Sequence, residues 1–244
     1  MKCIILAAGY ATRLYPLTKN FPKPLLEVNG KTILNRLIED IEQCKMVNEY
    51  IVVSNHKFIK HFQDWATKLP HNTTILDDGS TANDNRLGAV KDLEFAVKEL
   101  SIDEDCLVIA GDNLLDFSLT DFILYAQPKK ASCIMYHYLE DINKLRKTGV
   151  ARIKDNILVD MEEKPAKPKT HFFCPPFYYF IAEDIKRVSE ALEDGCAYDS
   201  PGSFPAWLCH KTKINALLMP GMRYDIGDIE SYEAVKCYFA SLDR

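Results

Sequence analysis

Residues 6–25 read L-A-A-G-Y-A-T-R-L-Y-P-L-T-K-N-F-P-K-P-L, directly after the apolar run Cys3–Leu6. Leu6 ends a stretch with the composition of a buried strand. Ala7, Ala8, Gly9 and Ala11 are small enough to let backbone N–H groups approach a ligand closely, as phosphate-cradling loops do. Arg13 and Lys23 then add positive charge, and Pro22 and Pro24 stiffen the backbone around the lysine. A generic polar turn would need neither that run of small residues nor a proline-clamped lysine. Two other phosphate motifs fail here. The dinucleotide fingerprint G-x-G-x-x-G meets Ala11 and Leu14 where its later glycines belong, and a P-loop ending at Gly30-Lys31-Thr32 meets Leu25 in place of its first glycine. Asn29-Gly30 reads instead as a tight turn.

Outward from this segment the pattern alternates. Short β-type runs lie at Cys3–Leu6, Tyr50–Ser54, Thr73–Leu76, Cys106–Ala110 and Ser132–His137. Helical stretches lie between them, at Thr32–Cys44, Lys57–Lys68, Leu87–Leu100 and Leu119–Ala126. In the first, Ile33, Leu34, Leu37, Ile38 and Ile41 share one face. This rhythm predicts an α/β fold, a three-layer Rossmann-like arrangement around a mainly parallel sheet. After about Lys144 it changes: a hairpin turns at Lys154-Asp155-Asn156, a Pro-rich stretch follows, then an aromatic strand at Phe177–Ile181 and a helix over Glu183–Glu193. A strand at Ile214–Met219 and a closing helix from Ile229 to Leu242 complete the pattern. We expect a single domain over residues 1–244, residues 1–140 forming one half and 141–244 elaborating it. Ligands of such sheets bind beyond the carboxyl ends of the strands.

Lys and Arg total 30 against 35 Asp and Glu, a formal charge of −5. That balance carries no nucleic-acid footprint, so a bound polyanion must meet locally placed cations. The eight cysteines show no C-x-x-C pair, and several sit in apolar runs, as reduced thiols of a cytoplasmic protein do. No signal-peptide pattern follows Met1-Lys2 and no apolar run approaches a membrane span, so a cytoplasmic location without membrane contact is expected. Assembly into a homo-oligomer is left open.

Asp112 ends the run L-V-I-A-G, which brings its carboxylate out at the ligand edge of the sheet, a hard oxygen donor suited to Mg²⁺. A loop-capping Asx-turn is the plain alternative. Glu162-Glu163-Lys164-Pro165 has the composition of a solvated charge run, and Phe177–Phe180 that of a core strand.

Together these segments resemble the sugar-1-phosphate nucleotidyltransferase family, which includes glucose-1-phosphate thymidylyl- and uridylyltransferases. Its opening motif L-A-A-G-x-G-[TS]-R-L-x-P-x-T, followed by P-K-P, is met by Leu6–Thr18 and Pro22-Lys23-Pro24, with Ala11 for the second glycine. Gly111-Asp112, Glu163-Lys164-Pro165 and Tyr224-Asp225-Ile226-Gly227 match three further motifs in order. The resemblance implies that Arg13 and Lys23 act on the phosphates and that Asp112 and Asp225 hold Mg²⁺. It implies that Leu6, Ala8, Gly9, Asp78 and Gly88 contact the nucleotide. Gly149, Glu163, Lys164 and, more remotely, Tyr178 would meet the sugar phosphate in the C-terminal, sugar-binding half. Departures are Pro175-Pro176 before the aromatic strand, Arg223 for a common Trp, Asp228 for a common Thr, and residues 77–89, which lack the Gln of the base-reading segment. Asp78, Ser80, Asn83 or Asn85 can serve a pyrimidine edge or simply make turns.

The implied partners are an NTP and a sugar 1-phosphate, joined to an NDP-sugar with loss of pyrophosphate. The nearest rival is a cytidylyltransferase for a small phosphate or phosphonate, such as phosphocholine or 2-aminoethylphosphonate. A glycosyltransferase would want a D-x-D motif, which Asp112-Asn113-Leu114 does not supply. A non-enzymatic relative should have lost charged motif residues, and Arg13, Lys23, Asp112 and Asp225 are all present.

Overall fold

The computed structural model describes residues 1–242. In chain order β1 (Lys2–Leu6), β2 (Glu27–Val28) and β3 (Lys31–Thr32) lead to α1 (Ile33–Ile41), β4 (Glu49–Ser54) and α2 (Ile59–Ala66). Then come β5 (Thr73–Asp77), α3 (Ala89–Glu99), β6 (Cys106–Ala110), β7 (Asn113–Leu115), α4 (Leu119–Ala126) and β8 (Cys133–Tyr138). A short α5 (Ile142–Leu145) precedes β9 (Gly149–Lys154), β10 (Ile157–Glu163), β11 (Phe172–Cys174) and β12 (Phe177–Phe180). The chain closes with α6 (Ala182–Ile185), α7 (Val188–Glu193), α8 (Ser203–Leu208), β13 (Ile214–Leu218), β14 (Arg223–Asp225) and α9 (Ile229–Leu242).

A ten-stranded sheet in the order β11-β9-β10-β13-β8-β12-β6-β1-β4-β5 is the central layer. The strands β1, β4, β5 and β6 are mutually parallel, while β10, β11 and β12 run against their neighbours. The sheet is therefore mostly parallel in direction, with its antiparallel pairings gathered in the second half. Successive residues of β1 point to opposite faces. Cys3 and Ile5 join a core under α1, α2 and α4, and Ile4 joins a second core under α3, α7 and α8. Each of these fully buried isoleucines contributes about 1.5–3 kcal/mol. Burial on both faces explains why the strands read as unbroken apolar runs.

The hairpin turn is made by Asp155 and Asn156, both at positive φ, the signature of a tight two-residue loop. Asn29-Gly30 turns β2 into β3 in the same way. The helix expected over Glu183–Glu193 is two helices, α6 and α7, meeting near Lys186-Arg187. Pro175-Pro176 splits one extended segment into β11 and β12, both lying against β8, because proline has no N–H to donate to the ladder. The sequence reading passes over β11, α8 and the β7–β14 ribbon.

No helix among the described residues is long and apolar enough to cross a membrane. Between layers, Asp40 of α1 accepts hydrogen bonds from Ser118 Oγ at 2.7 Å and Leu119 N at 2.6 Å, closing the open N-terminus of α4. Replacing Asp40 with Ala should cost about 0.5–2 kcal/mol, the usual worth of such a cap. At roughly 2–4 °C per kcal/mol for a chain of this size, calorimetry should show Tm falling by roughly 1–8 °C.

Candidate active site

The register Leu6↔Val53 and Leu6↔Ala110 sets the ends of β1, β4 and β6 level, so their following loops emerge together. A cleft of about 270 Å³ opens there. Its floor is the loop after β1, held from behind. Ala7 N donates to Val53 O at 2.9 Å, Asn55 Nδ2 to Ala8 O at 2.9 Å, and Thr18 Oγ1 to Ala11 O at 2.8 Å. Ala11 adopts φ 46°, ψ 44°, a left-handed conformation that explains why the family motif carries glycine at this position.

Lys23 is the centre of the charge arrangement. It stands between Pro22 and Pro24 at the start of the short helical turn Lys23–Leu25, and its side chain is only 8% exposed. Nζ donates to Asp112 Oδ2 at 2.8 Å and stands 3.8 Å from Asp225 Oδ1. Asp112 leaves the end of β6; Asp225 comes from β14, paired to β7 in the register Asp225↔Asn113. That three-residue ribbon brings together carboxylates far apart in sequence. Arg223 steadies it, donating from Nη1 to Asn113 Oδ1 at 2.8 Å with Nη2 3.9 Å from Asp225. Burial pushes the Asp112 carboxyl up, but the charge and hydrogen bond of Lys23, with Arg223 beyond, outweigh it and hold the group below its usual range.

Arg13 lines the same cleft, close to Gly227, where a Cβ would lie 3.7 Å from Arg13 Nη1. Among the described residues it makes no hydrogen bond or ion pair, and its charge reaches Asp228. Leu6, Ala8, Gly9, Lys23, Gly88 and Asp112 also line the cleft, whereas Asp78 lies behind the wall and Asp225 reaches it through Lys23.

The second half contributes the rim. Glu163, at the end of β10, lies where a methyl on Gly149 or Gly202 would collide with its carboxylate, and it accepts the Gly202 N–H. Burial pushes its carboxyl up against the pull of Lys164. Lys164 Nζ is 3.8 Å from Asp199 Oδ2, and Arg86 grips Asp199 Oδ1 from Nε at 3.1 Å and Nη2 at 2.8 Å. Gly149, Glu163 and Lys164 stand outside the cleft lining. Tyr178, 1% exposed, is packed in the core beneath α3 and α8 and does not reach the cleft.

Sequence reading missed Arg86, Asp199 and Asp92. Asp199 O and Tyr198 O accept from Ala89 N at 3.3 Å and Val90 N at 2.9 Å, so a loop of the second half caps α3. Gly88, at φ +96°, permits this docking: a Cβ there would stand 2.7 Å from Tyr198 O. Asp92, in the first turn of α3, is 5% exposed and lines the cleft. Burial and then the charge of Asp78 push its carboxyl up to about 8. The α3 N-terminus favours an anion by only about 0.3–1 kcal/mol. Burying a charge without a counter-ion costs several kcal/mol, so the proton wins.

A family model described as "Nucleotidyl transferase" matches residues 2–241. UTP–glucose-1-phosphate uridylyltransferase AglF of Haloferax volcanii is 27% identical over 93% of this chain and 91% of its own length. The probable glucose-1-phosphate cytidylyltransferase of Bacillus subtilis is 30% identical over 67% and 69%. The bifunctional protein GlmU of Methanocaldococcus jannaschii is 29% identical over 79% of this chain, which spans only 42% of that longer relative. A solved UDP-glucose pyrophosphorylase in complex with UDP-glucose superposes at a TM-score of 0.82, with 18% identity and 98% of each chain covered, a likeness of fold. The chain belongs to the nucleotidyl transferase family, and it is an enzyme.

The raised Asp92 carboxyl has a consequence for stability. Its protonated form is the favourable one in the fold, so its contribution is fully present below about pH 4, the ordinary carboxyl value, and is lost as pH climbs through about 8. Asp92→Asn, neutral throughout, should raise Tm relative to the parent at pH 8 and leave it nearly unchanged at pH 4. Melting curves across that range check the sign; an equal shift at both ends would contradict it.

Proposed function

We propose that the enzyme joins an NTP and a sugar 1-phosphate, giving an NDP-sugar and pyrophosphate. The observation that carries this reading is Lys23, its ammonium shared by Asp112 and Asp225 in a cleft that also holds Arg13. Two of the named relatives, the uridylyltransferase and the probable cytidylyltransferase, are named for glucose 1-phosphate, which supports a sugar phosphate over the small-phosphate alternative. Residues 1–140 would then serve the nucleotide and residues 141–244 the sugar phosphate. Eight free cysteines suit a reducing cytoplasmic setting.

The attacking phosphate oxygen is already anionic near neutral pH, so no general base is needed. The obstacle is repulsion between two polyanions on an acidic protein. Two unit charges 4 Å apart repel by about 1 kcal/mol in water and about 4 kcal/mol at an effective dielectric near 20. Lys23 and Arg13 would offset this at the triphosphate, and Lys164 at the incoming phosphate. Glu163, held by the Gly202 N–H, would orient sugar hydroxyls. Catalysis is thus positioning and charge stabilisation.

Mg²⁺ suits the donor set: Asp112 and Asp225 are hard oxygen ligands, their side chains 41% and 52% exposed, and both already attend a cation. Among the described residues no cluster of three ligating His, Cys, Asp or Glu side chains forms, so substrate phosphates and water would complete its shell. Bound there, the ion would neutralise phosphate charge.

Incubation with each NTP, glucose 1-phosphate and Mg²⁺, read by pyrophosphate release and chromatography of the NDP-sugar, tests the reaction. Arg13→Ala should lower kcat by roughly 10²–10³-fold, the scale for one preorganised electrostatic donor. Near-normal turnover in that folded variant would remove Arg13 from the site.

A further inference from the structure

Asp92 is an unusual group to find in the wall of a site for polyanions. Its carboxyl receives no N–H or O–H donor from the described residues apart from its contact with Asp78, and its Oδ1 is enclosed without a conventional partner. Asp78 is saturated on its other side: Ser80 N donates to Oδ1 at 2.7 Å and Ser80 Oγ to Oδ2 at 3.0 Å. Two carboxyls in contact, with no cation between them, share a proton. With that proton on Asp92 in the bond to Asp78, the other Asp92 oxygen would be an uncharged acceptor, on a residue that lines the cleft.

The position decides what such an acceptor can meet. Lys23 and Arg13 line the cleft from the segment after β1, while Asp92 lines it from α3; Arg86, the cation just before that helix, also lines it but is already gripped by Asp199. The leading N–H groups of α3, those of Ala89 and Val90, are already taken by Asp199 O and Tyr198 O, so this end offers no phosphate cradle. A phosphate has no N–H to give an acceptor. A nucleobase does, and with the proton on Asp92 the one charge left on the pair sits on Asp78, which does not line the cleft.

Building on the nucleotidyl-transfer reading, we propose that Asp92, buried in the cleft wall with an unpartnered carboxyl oxygen, is a specificity-determining residue that accepts an N–H of the nucleobase. A buried acceptor left unmatched is costly, so a base presenting no N–H at that point is rejected. The base-reading Gln absent from residues 77–89 is thereby replaced in function by an acid on the adjoining helix.

Calorimetry with CTP, UTP, GTP, ATP and dTTP, and with dCTP and dATP as deoxy partners, in the presence of Mg²⁺ tests this, with inorganic tripolyphosphate as the base-free probe. Asp92→Leu, checked for folding by circular dichroism, should weaken the preferred nucleotide by about 10–100-fold and flatten the ranking of bases, leaving tripolyphosphate affinity within about twofold. Asp92→Asn can donate its amide N–H to Asp78 and present its carbonyl to the cleft, and should recover most of the lost affinity. Unchanged nucleotide affinity in Asp92→Leu overturns the proposal. So does an equal loss for tripolyphosphate, which marks a general disturbance of the cleft, or an equal loss for every base with a gap between NTP and dNTP, which marks a ribose contact. If Asp92→Leu does not fold, absence of recovery in Asp92→Asn, measured against the parent, overturns it instead. These affinities are read without turnover, so failure to form an NDP-sugar would overturn the reaction and leave this contact standing or falling by itself.

Discussion

The ammonium of Lys23 between Asp112 and Asp225 is the constraint on which the site depends. A lysine this enclosed would be costly without counter-charges, and two carboxylates on one side of a sheet would repel without a cation. Each group makes the others tolerable. In the proposed reaction these partners would exchange: the carboxylates would turn to a divalent ion and the ammonium to phosphate. A protein with a formal charge of −5 thus concentrates cations where they are needed without becoming basic overall.

That triad exists only because distant segments are pinned together. The β7–β14 ribbon brings Asp225 level with Asn113, and α9 packs its Tyr232, Val235 and Phe239 against Leu14, inside the opening motif, and Leu114, just after Gly111-Asp112. On the opposite side the Tyr198–Asp199 loop caps α3, and Asp199 collects Arg86 from one half and Lys164 from the other. The cleft is a product of both halves, and neither supplies its walls alone.

Much of this was legible in the chain. Doubly buried strands announce themselves as short apolar runs, and the small residues beside Arg13 and a proline-clamped Lys23 mark the loop that floors the cleft. What escaped was short and non-local. The strands β7 and β14 have three residues each and gain their meaning only from pairing across the chain; β11 is disguised by Pro175-Pro176. Phe177–Phe180 reads as a core strand and is one, and Tyr178, the remote sugar contact that the resemblance implies, is buried within it. Asp92 gave no signal at all, since an acidic residue in the first turn of a helix is ordinary and only its enclosure makes it otherwise.

Asp112 and Asp92 line one cleft with the same side chain in opposite states. Both are pushed up by burial, but Asp112 meets Lys23 and stays an anion, whereas Asp92 meets Asp78 and keeps a proton. The neighbour, not the residue type, assigns the charge. In the proposed reading that separation is useful: a charged carboxylate would stand where cations and phosphates exchange, and a protonated one where a flat, uncharged ring is read by a hydrogen bond. One chemical group would thereby serve both ends of the nucleotide, the difference carried by the position of one proton.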